Sequence, residues 1–466
     1  MIVLKFGGAS LADSKNYQNV IKYIGKVREK NPIIIVSAMK GVTDLLLNSI
    51  SLAQENKFEE VIKNWKRIEE IHENVINEVI KSEKNKKILL NFLDDNLFQL
   101  KSFYKSISVL GQSTQKAKDK IVSYGEKLSS KILSKLLEEN NIRSMQINGE
   151  EVIVTDSNFG FASPDMEKTK NKSSKILINL VEKGIVPVIT GFIGANKKGE
   201  TTTLGRGGSD YSASIIANCL EVNEIWFLKE VDGIMSADPN IVNNARRIQM
   251  MSYNEVAELS YFGAKVMHPI AIHPLRQKKI ISHIKNVYNF DAIGTKVNQE
   301  KIQNGKTVKA ITSIKDVSII TIQGFGMIGK PGISGKVFSS LGNAKINIIM
   351  ISQSSSEQNI CLVINKSDEK KSVEILHQAL ELEILKNYVD KIELENNLSI
   401  ISIVGEGMHN TPGISRKVFS PMGKNNINVK LIAQGSSEIN ISFVIETNDL
   451  QKAIVAIHDE FKLGEK

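Results

Sequence analysis

Only two cysteines, Cys219 and Cys361, stand in the 466 residues, each inside an apolar stretch and without ligand-like spacing. That scarcity excludes a disulfide framework or a cysteine-rich metal module and points to buried thiols in a reducing compartment. No apolar run approaches the roughly 20 residues needed to span a bilayer. The opening MIVLKFGG reads as a short buried strand followed by glycines, not as a signal segment. A cytoplasmic location and no membrane partner are therefore expected. A compact run of Lys and Arg with interleaved aromatics is also missing. The formal charge of +9 is dispersed through Lys26, Lys30, Lys63, Lys84, Lys101, Lys172 and Lys278, among Glu and Asp. This describes a solvated surface, and no nucleic-acid partner is expected.

What is present is the balance of a folded globular chain, with 41% apolar and 24% charged residues. The length predicts roughly three domains. In the first part, short apolar runs at 2–6, 33–37, 152–155, 185–190, 224–229 and 280–285 read as buried strands. Stretches with helical spacing, such as 16–28 and 209–220, lie between several of them. Strand and helix in alternation predict an α/β fold, a parallel-type sheet covered by helices on both faces. From 45 to 110 the sequence becomes charged, glycine-free and Leu/Ile-spaced, which predicts a helical insertion.

The last third repeats itself. GFGMIGKPGISGKVFSSLGNAKINIIMISQSSSEQNI begins at Gly324 and GEGMHNTPGISRKVFSPMGKNNINVKLIAQGSSEINI at Gly405, an offset of 405 − 324 = 81. Pro331/Pro412, Phe338/Phe419, Gln353/Gln434, Glu357/Glu438 and Asn359/Asn440 keep that offset without a gap. Each copy reads as a small α+β module, and two copies suit a pseudo-symmetric pair rather than a solenoid. Domains are expected at 1–300, 318–390 and 399–466, with 301–317 a linker or a strand shared with the pair.

Two glycine loops carry candidate chemistry. In Lys5-Phe6-Gly7-Gly8-Ala9-Ser10 a strand ends near a lysine, two glycines turn the chain, and a helix follows. Such a turn lets backbone N–H groups approach an anion, with a mobile ammonium beside it. A plain strand-to-helix turn reads equally well from this motif alone. Leu204-Gly205-Arg206-Gly207-Gly208-Ser209-Asp210-Tyr211 is the second loop. Three glycines around an arginine are costly in conformational entropy and useful for close approach to a ligand, and Arg206 offers a fork for a carboxylate. Ser209 or Asp210 can equally cap the helix that follows. The placement at a strand–helix junction of an α/β sheet favours a binding role.

With these loops, KFGGAS (5–10), VSAMKGVTD (36–44), SYGEKLSS (123–130), TLGRGGSDYSA (203–213) and AELSYFGAKVMHP (257–269) stand in an order that resembles the aspartate kinases. The resemblance covers essentially the whole chain. It implies an amino-acid kinase fold followed by two α+β ACT domains of ferredoxin-like type. It also implies transfer of phosphate from Mg-ATP to the β-carboxylate of L-aspartate, the first step towards lysine, methionine and threonine. By position it makes Lys5 and Asp210 catalytic, Lys5 neutralising the transferring phosphoryl group and Asp210 ordering the cations around it. It assigns the amino acid to Ser37, Thr43, Glu126, Arg206 and Ser209. Glu126 would receive the ammonium and Arg206 the α-carboxylate. The nucleotide falls to Lys5, Gly7, Gly8, Lys229, Glu230, Asn240 and Lys265. No protein-held metal cluster is implied; the expected cofactors are ATP and Mg2+. Taken singly, Glu126 and Lys265 read as surface charges and Ser37 and Thr43 as turn residues.

Ala9 stands where the family usually has threonine, and the segment 229–240 resembles the plant type rather than many bacterial members. No strand–helix dinucleotide unit follows the second repeat, so a monofunctional kinase is expected rather than a fusion with a dehydrogenase. Gly324-Phe325-Gly326-Met327-Ile328-Gly329 matches a GxGxxG spacing, yet no acidic residue follows before Glu357 to hold a ribose, and a module turn accounts for it. ACT pairs imply an amino-acid effector and a homodimer or larger homo-oligomer. Gln353 and Gln434 match glutamines associated with threonine binding, and Ile351 stands where lysine-sensitive bacterial members often carry an acid, so threonine is expected over lysine. The competing expectations are a relative acting on glutamate, acetylglutamate, carbamate or a nucleotide, and an amino-acid sensor with a decayed kinase unit.

Overall fold

The segment IVLKF is buried at all five positions, as suits a parallel strand covered on both faces. In the computed structural model, which describes residues 1–264, 266–299 and 307–465, it forms β1 (Ile2–Phe6) within an eight-stranded sheet. Seven further strands complete that sheet: β2 (Pro32–Val36), β3 (Ser144–Ile147), β4 (Val186–Thr190), β7 (Glu224–Lys229), β8 (Met250–Ser252), β9 (Ile281–Asn286) and β10 (Thr295–Asn298). A small antiparallel hairpin, β5 (Ile193–Ala195) and β6 (Thr201–Thr203), stands apart. The order is β3-β4-β2-β1-β7-β9-β10-β8, parallel throughout except for β9 against β10. The chain builds outward from β1 through β2 and then returns to lay β7 on its other side. The order reverses between β1 and β7, and such a switch opens a crevice for a ligand at the C-terminal ends of the strands.

The described chain forms two compact units. The first holds Met1–Ile234, Arg247–Tyr253 and 266–299; the second holds Met235–Arg246, Asn254–Ala264 and 307–465. In the first, the Leu/Ile-spaced stretch forms the helices Val42–Gln54, Phe58–Val79 and Glu83–Leu110. Leu89, Leu93, Leu97, Leu100, Tyr104 and Ile107 of the third fall every three or four residues and are buried, which is the core-facing stripe of an amphipathic helix. Ser82 caps its start and Gly111, at φ 65°, ends it. The helix Gln115–Glu139 follows and is buried along most of its length.

One expected strand is absent. Asn148 and Glu151 form a reciprocal capping box that closes a helical turn at Gly149–Val152. Beyond it Val154 and Thr155 make only isolated bridges, to Ala195 and Pro164. The strand in this region is β3, eight residues earlier than the apolar run suggested.

The second unit is built on a six-stranded antiparallel sheet in the order β12-β13-β11-β14-β16-β15. Its strands are β11 (Ala310–Gln323), β12 (Ile348–Gln353), β13 (Asn359–Asn365), β14 (Lys391–Val404), β15 (Leu431–Gln434) and β16 (Asn440–Glu446). The long central strands cross from one repeat to the other: Ala310–Ile314 pair with Ile400–Val404, and Ile319–Gln323 with Lys391–Glu395. The 81-residue symmetry reaches the backbone. Positive φ recurs at Asp316/Asn397, Gly329/Asn410, Gly332/Gly413, Lys345/Asn426 and Glu357/Glu438. Glu357 accepts from the Gly329 N–H at 3.0 Å, as Glu438 does from Asn410 at 2.7 Å. Ala237 and Val242 pack into the core of the second repeat with Ile401, Phe443 and Ile457.

Candidate active site

The crevice begins at the end of β1. Lys5 is the one charged residue of that strand and is only 5% exposed. Its Nζ lies 2.6 Å from Asp210 Oδ1, while Lys229, closing β7, donates to Asp210 Oδ2 at 3.1 Å. Burial opposes the charge on Asp210, yet the ammonium groups of Lys229 and Lys5 outweigh it and hold the carboxyl at about 2. Burial is the larger influence on Lys5 and draws it below the usual lysine range, with Lys229 acting the same way and Asp210 against. Two lysines thus share one carboxylate. In their protonated forms they leave a surplus positive charge at the mouth of the sheet, suited to an anion.

Asp210 is placed by the glycine-rich loop. Gly207, at φ 70°, precedes the helix Gly208–Cys219, whose first turn carries Ser209 and Asp210. A side chain at 207 would be strained and would collide with His268. The first-turn N–H groups of a helix lack intrahelical acceptors, so this helix start also favours an anion. After β1, Gly8 has no room for a Cβ, which would sit 2.7 Å from the Ala38 carbonyl oxygen. The two loops leaving β1 and β2 therefore touch backbone to backbone.

A cavity of about 490 Å3 opens over these groups. Lys5, Ser37, Thr43, Glu126, Arg206, Ser209 and Asp210 all line it, so the structure brings together every residue the sequence reading gave to catalysis or to the amino acid. Ser37 is fixed where β2 ends: its N–H donates to the Phe6 carbonyl at 3.2 Å, and its own carbonyl accepts from Ser129 Oγ at 2.7 Å. Thr43 opens the helix Val42–Gln54. Glu126 is 3% exposed on the helix Gln115–Glu139. Burial pushes its carboxyl up to about 8, against a hydrogen bond from the Ala38 backbone and the nearby charge of Lys5. Its Oε2 has no hydrogen-bond partner among the described residues. Arg206 is exposed on its loop.

The nucleotide assignments are more dispersed. Gly7, Gly8, Lys229 and Glu230 are not part of the cavity lining. Glu230 is exposed and accepts from Tyr288 Oη at 3.4 Å. Asn240 belongs to Met235–Arg246 of the second unit, where its amide donates to Asp238 at 3.0 Å. Lys265 lies outside the described residues. In the second unit, Gln353 lines a cavity of about 300 Å3 with Lys330, Pro331 and Glu357, and Gln434 ends β15.

Asp119 went unnoticed in the sequence. It is 1% exposed, lines the cavity, and sits two helical turns before Glu126. The spacing of seven residues on one helix face was the available signal. Phe161 and Phe192 supply apolar wall.

The family model for the amino acid kinase family matches residues 1–286. The chain belongs to the amino acid kinase family. A model of the ACT domain matches residues 320–380 and 401–461 in addition. Among this kinase family's curated members, the chain is 32% identical to a bifunctional aspartokinase/homoserine dehydrogenase of Zea mays, covering 99% of the chain and 50% of the relative. The chain spans about half the length of the first such relatives. It is also 32% identical to aspartokinase 1 of Arabidopsis thaliana, over 98% of the chain and 80% of that protein. E. coli aspartokinase III, solved with aspartate and ADP, is similar over 99% of both chains at 25% identity and a TM-score of 0.84. Solved with lysine and aspartate, it matches over 99% of both chains at 26% identity and a TM-score of 0.80.

Proposed function

We propose that this kinase-family chain transfers the terminal phosphate of ATP to the side-chain carboxylate of L-aspartate, giving 4-phospho-L-aspartate. The observation that carries the reading is one cavity lined by three separated polar sites: Lys5 with Asp210 (which Lys229 joins from outside the lining), the partnerless Glu126 oxygen and the exposed Arg206. A free amino dicarboxylate needs an anion acceptor for its ammonium, a cation for its α-carboxylate and positive charge at the reacting end. Glu126, Arg206 and Lys5 supply these in turn, with Ser37, Thr43 and Ser209 as hydroxyl donors nearby. The attacking carboxylate, with an ordinary value of about 3.9, is already ionised and needs no base. In-line positioning and absorption of charge on the transferring group are then the whole of the catalysis.

Lys5 and Lys229 meet the phosphates, and Gly7 and Gly8 let backbone N–H groups approach them. Asp210 holds the two ammoniums together at the mouth of the sheet. Its oxygens are already taken by lysines, so the residues fit a magnesium ion carried mainly by nucleotide phosphates and water rather than a protein cage. Such an ion would supply charge neutralisation on the phosphates. Glu230 and Lys265 remain assigned to the nucleotide.

An assay coupling ADP release to added L-aspartate, with hydroxylamine trapping the acyl phosphate, tests the reading. Hydroxamate formed from glutamate or acetylglutamate and not from aspartate would overturn it in favour of a relative on the same fold. The ACT pair is assigned an amino-acid effector and the contact of a homodimer or larger homo-oligomer, and the enzyme a cytoplasmic role at the head of lysine, methionine and threonine synthesis. L-Threonine is favoured: Gln353, which carries a primary amide, lines the cavity with Glu357, and Ile351 offers no acid for a lysine ammonium. Unchanged initial rates with threonine added, against a fall with lysine, would reject that choice.

A further inference from the structure

The loop bearing Arg206 has no ion pair of its own among the described residues, yet an amino-acid site needs its guanidinium at a fixed reach from Glu126. The fixing point is at the root of the loop. Thr203 ends β6 three residues before Arg206, and both its N–H and its hydroxyl donate to Asp119, at 2.9 Å and 3.1 Å. Gly160 N–H donates to the same carboxylate at 2.8 Å and Gln115 Nε2 at 3.3 Å. One buried side chain thus ties two separate pieces of chain, the loop at Gly160 and the end of β6, to its own helix. The pieces also pack on one another: the Ala162 N–H donates to the Thr203 carbonyl at 2.9 Å, and Gly205 lies against the Phe161 ring, where a Cβ would sit 2.7 Å away.

We propose that Asp119 is a positioning residue that sets the reach between Glu126 and Arg206, and so makes the site select the shorter of the two common α-amino dicarboxylates. This rests on reading Glu126 and Arg206 as the two ends of the amino-acid site. Asp119 and Glu126 project from the same face of one rigid helix, seven residues apart. The carboxylate that receives the ammonium and the one that anchors the guanidinium loop therefore move as a unit. Two of the four donors on these two oxygens come from the loop root, so losing an acceptor lets the guanidinium drift from the α-carboxylate and weakens binding of the amino acid. Asparagine at 119 would keep one acceptor and turn an N–H towards donors that need an oxygen, leaving buried groups unsatisfied.

The test is steady-state kinetics of the full chain with L-aspartate and with L-glutamate, using wild type, Asp119→Asn, Thr203→Val, Arg206→Ala and the Asp119→Asn/Arg206→Ala double variant. Asp119→Asn is expected to raise the KM for aspartate about 10-fold or more, to leave kcat and the KM for ATP within about 3-fold, and to narrow the preference for aspartate over glutamate. On the Arg206→Ala background the same change should add almost nothing, because a residue acting through another loses its effect when that other is gone. Thr203→Val removes one donor and should shift the same constants in the same direction by less; it decides the matter if Asp119→Asn does not fold. An equal effect with and without Arg206, or a fall in kcat at unchanged KM, overturns the positioning role. If wild type phosphorylates aspartate and the variants match it, only this inference fails. If wild type turns over neither amino acid, the reading of the site fails as well.

Discussion

Glutamine at 126 would make the protein more stable while disabling it, and the size of the effect follows from where Glu126 sits. Its carboxyl is buried and held at about 8, against an ordinary 4.5. Each tenfold change in proton affinity corresponds to about 1.4 kcal/mol. A folded-state value above the unfolded one means the folded protein binds the extra proton. Stability is therefore greatest in acid and falls as pH rises from the unfolded value to about 8. Between about pH 5 and pH 9 the wild type should lose on the order of 4 kcal/mol from this group alone. Glu126→Gln removes that loss. At roughly 2 °C per kcal/mol for a unit of this size, the variant should melt about 8 °C above wild type at the higher pH and within about 2 °C of it at the lower. Thermal unfolding of the ligand-free protein in matched buffers reads both. The same change should raise the KM for aspartate by about 10- to 100-fold, the worth of a charge-assisted hydrogen bond. A melting difference that stays flat between the two pH values would refute the claim that burial of an ionisable carboxyl is the cause.

Three further outcomes follow from the same geometry. Aspartate binding near neutral pH should release close to one proton per site, as the substrate ammonium draws the Glu126 proton off; titration calorimetry in buffers of different ionisation enthalpy measures it, and zero release contradicts the assignment. Lys5→Met should lower kcat by about 100- to 1,000-fold, the scale of one lost transition-state donor, with an unchanged circular dichroism spectrum. Gly207→Ala places a Cβ against His268 at φ 70°; the start of the helix should shift, lowering kcat/KM at least ~10-fold and Tm by a few degrees.

Much of this site could be read from the chain because its groups lie at ends of regular elements. Lys5 precedes a glycine pair at a strand end, and Ser209 and Asp210 follow a glycine at a helix start; both signatures are local. Arg206 is marked by the three glycines around it, but Glu126 is reached only through the family resemblance, since nothing nearby in sequence marks it as facing a cavity. Asp119 escaped entirely. Its donors Gly160 and Thr203 stand 41 and 84 residues away, and no periodicity announces a partner at such distances. The expected strand at 152–155 gave way to a capping box, a reminder that an apolar run yields to backbone groups that find side-chain partners first.

By itself the sequence determined the alternation of buried strands and helices, the two glycine loops and the 81-residue repeat. These depend on side-chain spacing and backbone freedom within a few residues. Only the tertiary structure decided that Asp210 serves two lysines, that Glu126 keeps its proton near neutrality, and that Met235–Arg246 packs with the second unit rather than the first. Desolvation and ion pairing depend on everything that surrounds a group in space, and chain order does not encode those neighbours locally.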